Sequence, residues 1–192
     1  MATDSIALAS SLLERSLNRI GIFSLHASGI AYDGRGVLLI GPNGSGKTTT
    51  AVYSCMKHPE VNYITGNRAF LDPNNLEILE GIDKFSVRNN NLLDELRPFV
   101  SVPEQKGRTY LHSEQVGINR ANFPVKIKAI MVLTGRGIPL FTHSPKKNSE
   151  NELVSLYDAV EMFGERRQVM FGSVAPYPEI LDIGLRRICL SL

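Results

Sequence analysis

An eight-residue stretch, GPNGSGKT, occupies residues 41–48 and limits the folds open to this chain. An apolar run at residues 36–40 comes directly before it, and a segment of helical composition at residues 49–57 follows it. The stretch fits the Walker A pattern G-x-x-x-x-G-K-[ST], which is informative in this setting of strand, loop and helix. The sequence therefore predicts a loop that leaves a buried strand and opens a helix.

This pattern is typical of loops that bind phosphate groups; the alternative is a glycine-rich turn without a ligand. Glycine lets the backbone curl round an anion with successive N–H groups pointing inward. The following helix adds the positive end of its dipole. Lys47 is placed to reach the β- and γ-phosphates, and Thr48 to put its hydroxyl on magnesium. The predicted cofactors are ATP, or another nucleoside triphosphate, and Mg²⁺. The predicted nucleotide contacts are Gly41, Pro42, Asn43, Gly44, Ser45, Gly46, Lys47, Thr48 and Thr49.

Composition narrows the class of partner. The chain has 192 residues and a formal net charge of +2, so we predict one domain over residues 1–192 and no nucleic-acid partner. Its two cysteines lie far apart and indicate neither a zinc site nor a disulfide framework. The N-terminus lacks a signal-peptide pattern, and no apolar run approaches the length of a membrane span. We therefore expect a cytoplasmic protein without a membrane partner. The sequence leaves open whether the protein forms a homo-oligomer.

Periodicity places secondary structure before the loop. Apolar residues recur at helical spacing and predict a helix with a core-facing stripe. That stripe consists of Ala9, Leu12, Leu13, Leu17 and Ile20. A turn signal, Asp33-Gly34, separates the apolar runs 22–31 and 36–40 and predicts a hairpin that leads into the loop. A hairpin at this place favours a mixed, partly antiparallel sheet over a mainly parallel one.

The chain after the loop is predicted to continue with strands at 61–65, 68–71, 76–79 and 125–133. A second turn signal, at 72–75, makes Asp72 a turn residue in preference to a base. A short helix is expected at 92–96, and a capping box at 149–152 predicts a helix that continues to about residue 163. The basic residues at 106–108 are interpreted as a solvated turn in preference to a cluster that attracts an anionic substrate. The tail at 180–192 is interpreted as a helix end or an edge strand.

The residues around the loop resemble a known family. LHAS at 25–28, GRGVLLIG at 34–41 and then the Walker A loop are similar to the catalytic domain of HPr kinase/phosphorylase, of the phosphoenolpyruvate carboxykinase-like P-loop group. The similarity is clear over residues 12–87 and weaker to about residue 127. It implies an α/β P-loop domain with a mixed, partly antiparallel sheet and flanking helices, like the C-terminal domain of HPr kinase. It also implies that His26, fifteen residues before Gly41, lies beside the phosphate site.

Two family signatures are altered in this chain. Where the family has two adjacent aspartates for metal binding and proton transfer, this sequence has Gly66-Asn67. Asn67 can ligate magnesium through its oxygen, but a neutral amide is a poor general base. A second signature, a glutamate, an apolar residue, an arginine and glycines, has residues 86–89, SVRN, as its best counterpart. Arg88 fits this signature, whereas Ser86 stands in place of the glutamate.

The resemblance therefore implies catalytic roles for Lys47, His26, Asn67 and Arg88, with Thr48 and Asn67 at the metal. His26 as a core histidine with a satisfied hydrogen bond and Arg88 as an ordinary surface arginine remain open. The implied function is an ATP-dependent kinase that phosphorylates a hydroxyl of a small metabolite or of a protein serine. The family's phosphorylase activity is harder to transfer, because it depends on the acidic pair.

Two other classes compete with a kinase. A nucleotide-binding regulatory or assembly module without catalysis is favoured by the altered residues at 66, 67 and 86. An ABC-type ATPase has a similar loop sequence but is disfavoured, because the chain contains no LSGGQ signature. Its only Asp-Glu pair, Asp94-Glu95, follows just two leucines, too few for the strand that such a protein needs.

Overall fold

The computed structural model describes residues 2–88, 95–96, 98 and 108–133. Within these ranges the chain forms two α-helices, nine strands and a 3-10 helix at Ser113–Val116. The helices are α1 (Ala2–Arg19) and α2 (Lys47–Lys57). The strands are β1 (Phe23–Leu25), β2 (Ser28–Tyr32), β3 (Arg35–Ile40), β4 (Val61–Thr65), β5 (Ala69–Asp72), β6 (Glu77–Gly81), β7 (Phe85–Arg88), β8 (Arg108–Leu111) and β9 (Val125–Val132).

Several predicted segments lie outside the described residues. They are the helix that opens at 149–152, the tail at 180–192 and positions 106–107 of the basic cluster. The predicted helix at 92–96 is described only at residues 95 and 96, which are helical. Position 108 is the first residue of β8 and not part of a turn.

Among the described residues, the main sheet has seven strands in the order β1-β5-β6-β9-β3-β2-β4, and β7 and β8 form a separate pair. In the described part of the chain, β3 and β9 run parallel and the other neighbours run antiparallel. The protein is thus mixed α/β with a mostly antiparallel sheet, as the hairpin ahead of the loop predicts. Helix α2 packs on β2, β3 and β4 and also contacts β7.

Both predicted hairpins are present. Strands β2 and β3 pair from Ser28 opposite Leu39 to the turn at Asp33 and Gly34. Both turn residues have positive φ, 49° and 69°, which matches the right-handed twist of the strands they join. At the β5–β6 turn the Asp72 carboxylate accepts a hydrogen bond of 2.8 Å from the backbone N–H of Asn74. Asp72 is therefore a turn residue, as predicted.

The apolar run at 22–31, predicted as one strand of the hairpin, is divided into β1 and β2. The two strands are separated only by His26 and Ala27, yet they are five positions apart in the order of the sheet. Five steps of a flat sheet span about 24 Å, whereas three consecutive Cα–Cα steps reach at most about 11 Å. The sheet must therefore curve strongly, so that its two edge strands, β1 and β4, approach each other. The β1–β2 connection (residues 26–27) and the β4–β5 connection (residues 66–68) meet there, and we call this place the seam.

Strand β3 is buried on both faces. Side chains of a strand alternate between the two sides of the sheet, so neighbouring residues of β3 belong to different apolar clusters. Leu38 and Ile40 belong to a cluster inside the curved sheet, and Leu39 belongs to a cluster under α2. The inner cluster also contains Phe23, Leu25, Ile64, Leu71, Ile78 and Val125. The cluster under α2 also contains Ala51, Val52, Cys55, Tyr63, Phe85 and Leu111. The end of β3, where the loop begins, is thus held from both sides.

Helix α1 leaves most of its apolar stripe exposed in the described structure, although Leu17 is partly buried. The prediction of a core-facing stripe was therefore wrong. The stripe residues Leu12, Leu13 and Ile20 are exposed by 55%, 58% and 70%. Helix α1 adjoins β1 through polar side chains: Asn18 is buried and Glu14 accepts a hydrogen bond from Ser24 of β1. No helix in the described ranges is both long and apolar enough to cross a bilayer.

Candidate functional site

The glycine-rich loop, residues 41–48, connects the buried end of β3 to α2. Gly41 has a φ of 140°, and a Cβ at this position would lie 2.2 Å from the backbone oxygen of Leu133. No residue with a side chain fits there, because real Cβ atoms do not approach other atoms so closely. Gly44 and Gly46 have φ values of 85° and 93°, in the left-handed region that glycine adopts without strain. The conformation of the loop thus explains its glycines.

The start of α2 is suited to an anion. Gly46 is the N-cap of the helix, and no side chain caps it. The first N–H groups of a helix have no partner within the helix, and they carry the positive end of its dipole. The first turn of α2 has no acidic side chain that would repel a phosphate. The N–H groups at this helix end, which no side chain caps, could therefore donate hydrogen bonds to a phosphate group.

Lys47 lies across the loop. Its Nζ donates hydrogen bonds to the backbone oxygens of Gly41 at 2.7 Å and Pro42 at 3.0 Å. The residue is buried, and burial lowers the pKa of its amine. An ammonium group has three donors, and two of them are held by the loop. A phosphate that entered the loop would meet a cation already placed at its rim.

Thr48 turns its hydroxyl toward the β4–β5 connection. Its Oγ1 donates a hydrogen bond of 2.9 Å to the backbone oxygen of Gly66. The buried Ser28 at the start of β2 contacts the same two atoms, with its Oγ 3.2 Å from Gly66 O and 3.3 Å from Thr48 Oγ1. Because the proton of Thr48 is directed to Gly66, an Oγ1 lone pair is left for a cation. The hydroxyl is therefore suited to act as a magnesium ligand, since Mg²⁺ takes oxygen ligands.

His26 occupies the connection between β1 and β2, on the seam of the sheet. Its Nδ1 lies 2.8 Å from the backbone oxygen of Asn67. A carbonyl oxygen only accepts, so Nδ1 carries the proton and Nε2 is the basic nitrogen of the neutral ring. Burial lowers the pKa of His26, and the charges of Lys47 and Arg68 lower it further, against the opposing effect of Asn67. The ring is therefore neutral at pH 7.

This lowered pKa predicts an acid-sensitive stability. Below the ordinary histidine pKa of 6.5 the unfolded chain binds a proton at His26 that the folded chain does not, so the free energy of unfolding falls as the pH falls from 6.5 toward the folded pKa. His26→Gln should lose less stability between pH 7.5 and 5.5 than the wild type, as measured by urea denaturation. His58→Gln, which replaces an exposed histidine, is the control. Equal pH slopes for the wild type and His26→Gln would contradict the buried, neutral ring.

Arg68 links the site to helix α1. Its Nη1 donates to Oε1 of Glu14, and the side chains are 13% and 21% exposed. The same carboxylate oxygen accepts from the hydroxyl of Ser24 at 3.0 Å. The pair lies close enough to the site for the Arg68 charge to lower the pKa of His26. The polar side of α1 therefore adjoins the seam where the site residues meet.

Gly66, at the position of the first family aspartate, has no room for a side chain. A Cβ there would lie 2.4 Å from the hydroxyl of Tyr63 and 2.5 Å from Cβ of Phe85. Both aromatic residues are fully buried, and their rings pack together with centroids 5.7 Å apart. In this fold the position supplies a backbone oxygen and not a carboxylate.

The predicted site residues are brought together in part. Lys47, Thr48, His26 and Asn67 meet where the loop adjoins the seam. The backbone oxygen of Asn67 accepts a hydrogen bond from His26, and the side chain of Asn67 also raises the pKa of His26. Arg88 is the last residue of β7, opposite Arg108 in the small sheet, and its side chain lies outside what the structure describes. Among the described residues no group of three or more His, Cys, Asp or Glu could hold a metal.

Two residues of this site were not predicted from the sequence. Ser28 interrupts an apolar run with a hydroxyl that the fold buries, and such an interruption is the signal that could have identified it. Arg68 follows Asn67 directly, but nothing local indicates its ion pair with Glu14, fifty-four residues away along the chain. Comparison of the chain with protein-family models and with curated proteins finds no match, so the residues of the site are the basis for inferring function.

Proposed function

We propose that this protein is an ATP-dependent phosphotransferase of the HPr kinase-like group, which transfers the γ-phosphate to a hydroxyl of a small molecule or of a protein serine. The observation that carries the proposal is the meeting of the glycine-rich loop, Lys47 and Thr48 with His26 at the start of α2. Phosphoryl transfer depends mainly on positioning and on neutralising phosphate charge, and these groups provide both.

Each group has a separate part in this proposal. Residues 41–46 and the first N–H groups of α2 hold the β- and γ-phosphates. Lys47 leaves the oxygens of Gly41 and Pro42 for the phosphates, which offer it a full negative charge. Thr48 would hold the magnesium ion together with the nucleotide phosphates; when bound, that ion neutralises charge on the β- and γ-phosphates. The basic Nε2 of His26 is suited to accept a hydrogen bond or a proton from the acceptor hydroxyl.

A second candidate is a nucleotide-binding module without catalysis. The crowding at Gly66 favours it, because the fold excludes a carboxylate at a position where the similar family has one. Asn67 is neutral and cannot replace that carboxylate as a base. The two candidates share the loop and differ in whether His26 acts on an acceptor.

The decisive test is ATP consumption with and without hydroxyl-bearing acceptors, in the wild type and in His26→Ala. If the protein is a kinase, His26→Ala should lower kcat about 100-fold and leave ATP affinity within about threefold, because a group that acts in the transition state affects rate more than ground-state binding. His58→Ala is the matched control, since His58 lies at the exposed end of α2.

The other outcomes separate the candidates. ATP that raises the unfolding temperature by mass action without phosphorylation of any acceptor would support the binding module. A His26→Ala protein with a lower unfolding temperature and a normal specific activity would make His26 a structural residue. A wild type that binds no nucleoside triphosphate would contradict both candidates.

A further inference from the structure

We propose that Ser28 is a positioning residue that holds the Thr48 hydroxyl in the orientation that a magnesium ion requires. This role rests on the proposed function of residues 41–48 as a nucleotide loop. Ser28 was assigned no role from the sequence, and it lies one strand away from the loop, at the start of β2 opposite Leu39.

The geometry is a triangle of three oxygen atoms. Thr48 Oγ1 lies 2.9 Å from Gly66 O, Ser28 Oγ lies 3.2 Å from Gly66 O, and the two hydroxyl oxygens are 3.3 Å apart. A carbonyl oxygen accepts two hydrogen bonds and donates none. Thr48 donates its one proton to Gly66, so Ser28 is the donor in the contact between the two hydroxyls and shares its proton between Thr48 Oγ1 and Gly66 O. The proton of Thr48 thus points away from the mouth of the loop, and one lone pair of Oγ1 remains for a cation.

A threonine in a helix has a competing choice. Its hydroxyl can rotate to donate to a backbone oxygen three or four residues earlier, which gives threonine two populated χ1 rotamers in helices. The Gly66 oxygen and the Ser28 hydroxyl together favour the rotamer in which Oγ1 leaves the helix and faces the seam. Without the Ser28 hydroxyl one side of Thr48 loses its polar neighbour, and the preference for this rotamer weakens.

The burial of Ser28 supports a use for its hydroxyl. Ser28 is 0% exposed, and a buried hydroxyl without a hydrogen bond costs about 1–3 kcal/mol. In the described structure its side chain forms hydrogen bonds with Thr48 and Gly66, both in the site. Because both partners of this hydroxyl belong to the site, the site accounts for a polar side chain at this buried position.

The test measures how much magnesium raises the affinity for ADP, by calorimetry in EDTA and in a titration of Mg²⁺. In EDTA, Ser28→Ala should bind ADP within about twofold of the wild type, because the phosphate contacts of the loop are intact. The gain in affinity that Mg²⁺ confers should be about three- to tenfold smaller in Ser28→Ala, the size expected for one hydrogen bond. Ser28→Cys keeps a group of similar volume with only a weak donor and should show the same loss. It serves as a second variant in case the Ser28→Ala protein does not fold.

Ser113→Ala is the matched control. Ser113 is as buried as Ser28 but lies beside Asp83, to which its backbone N–H donates. An unchanged magnesium gain in Ser28→Ala or Ser28→Cys, or the same loss in Ser113→Ala, would overturn the role of Ser28 and leave the proposed function standing. A wild type that binds ADP equally with and without Mg²⁺ would overturn the role as well. A wild type that binds neither ADP nor ATP would overturn the proposed function itself.

Discussion

Replacement of Lys47 with alanine should reduce kcat/KM for ATP about 100-fold or more. The change removes a cation that is already held at the rim of the loop, 2.7 Å from Gly41 O and 3.0 Å from Pro42 O. In the proposed function Lys47 transfers its hydrogen bonds to the phosphates, and a donor placed at developing charge contributes an effect of about this size. The measurement is ATP affinity by calorimetry together with turnover on a hydroxyl acceptor.

The control is a lysine of the same helix. Lys57 ends α2, its side chain is 51% exposed, and it pairs with Glu95 at 3.4 Å. Lys57→Ala removes the same charge from the chain far from the loop and should change ATP affinity less than about twofold, since exposed ion pairs contribute little. Equal ATP affinity and equal activity in Lys47→Ala and the wild type would refute the assignment of residues 41–48 as a nucleotide loop.

Gly66→Ala should lower the free energy of unfolding by about 3 kcal/mol. The new Cβ would meet Tyr63 Oη at 2.4 Å and Phe85 Cβ at 2.5 Å, and overpacking of a buried site costs about 1–3 kcal/mol or more. The backbone must move to relieve these contacts, which also displaces the oxygen that Thr48 and Ser28 share. We therefore expect urea denaturation at a lower midpoint and a weaker magnesium gain in ADP affinity.

Gly34→Ala separates crowding from backbone conformation. Gly34 has a φ of +69°, and nothing lies within 4 Å of the position that a Cβ would take there. Its replacement therefore costs about 1 kcal/mol of left-handed strain without a clash. If Gly66→Ala proved no more destabilising than Gly34→Ala, the close approach of Tyr63 and Phe85 to Gly66 would be disproved. The same result would mean that the fold has room for a carboxylate side chain at residue 66.

Short-range chemistry made much of this protein predictable from its sequence. Asp33-Gly34 determines the β2–β3 turn, because both residues tolerate the positive φ that a tight hairpin needs. The Walker A spacing predicts a glycine loop between a strand and a helix, and the helix begins at Lys47 as expected. The apolar pattern at 125–133 predicts strand β9, which the structure places at Val125–Val132. Each of these features depends on residues close to one another in the chain.

Features that depend on distant residues were decided only by the tertiary structure. The run at 22–31 is locally a good strand, but curvature of the sheet divides it at His26 and places that residue on the seam. The apolar stripe of α1 is a good core face by spacing, but the helix docks through Glu14 and its partners Ser24 and Arg68. The lack of space at Gly66 comes from the hydroxyl of Tyr63 and the Cβ of Phe85, whose positions periodicity cannot predict. A sequence records which side chains are available, whereas packing between distant segments determines which of them meet.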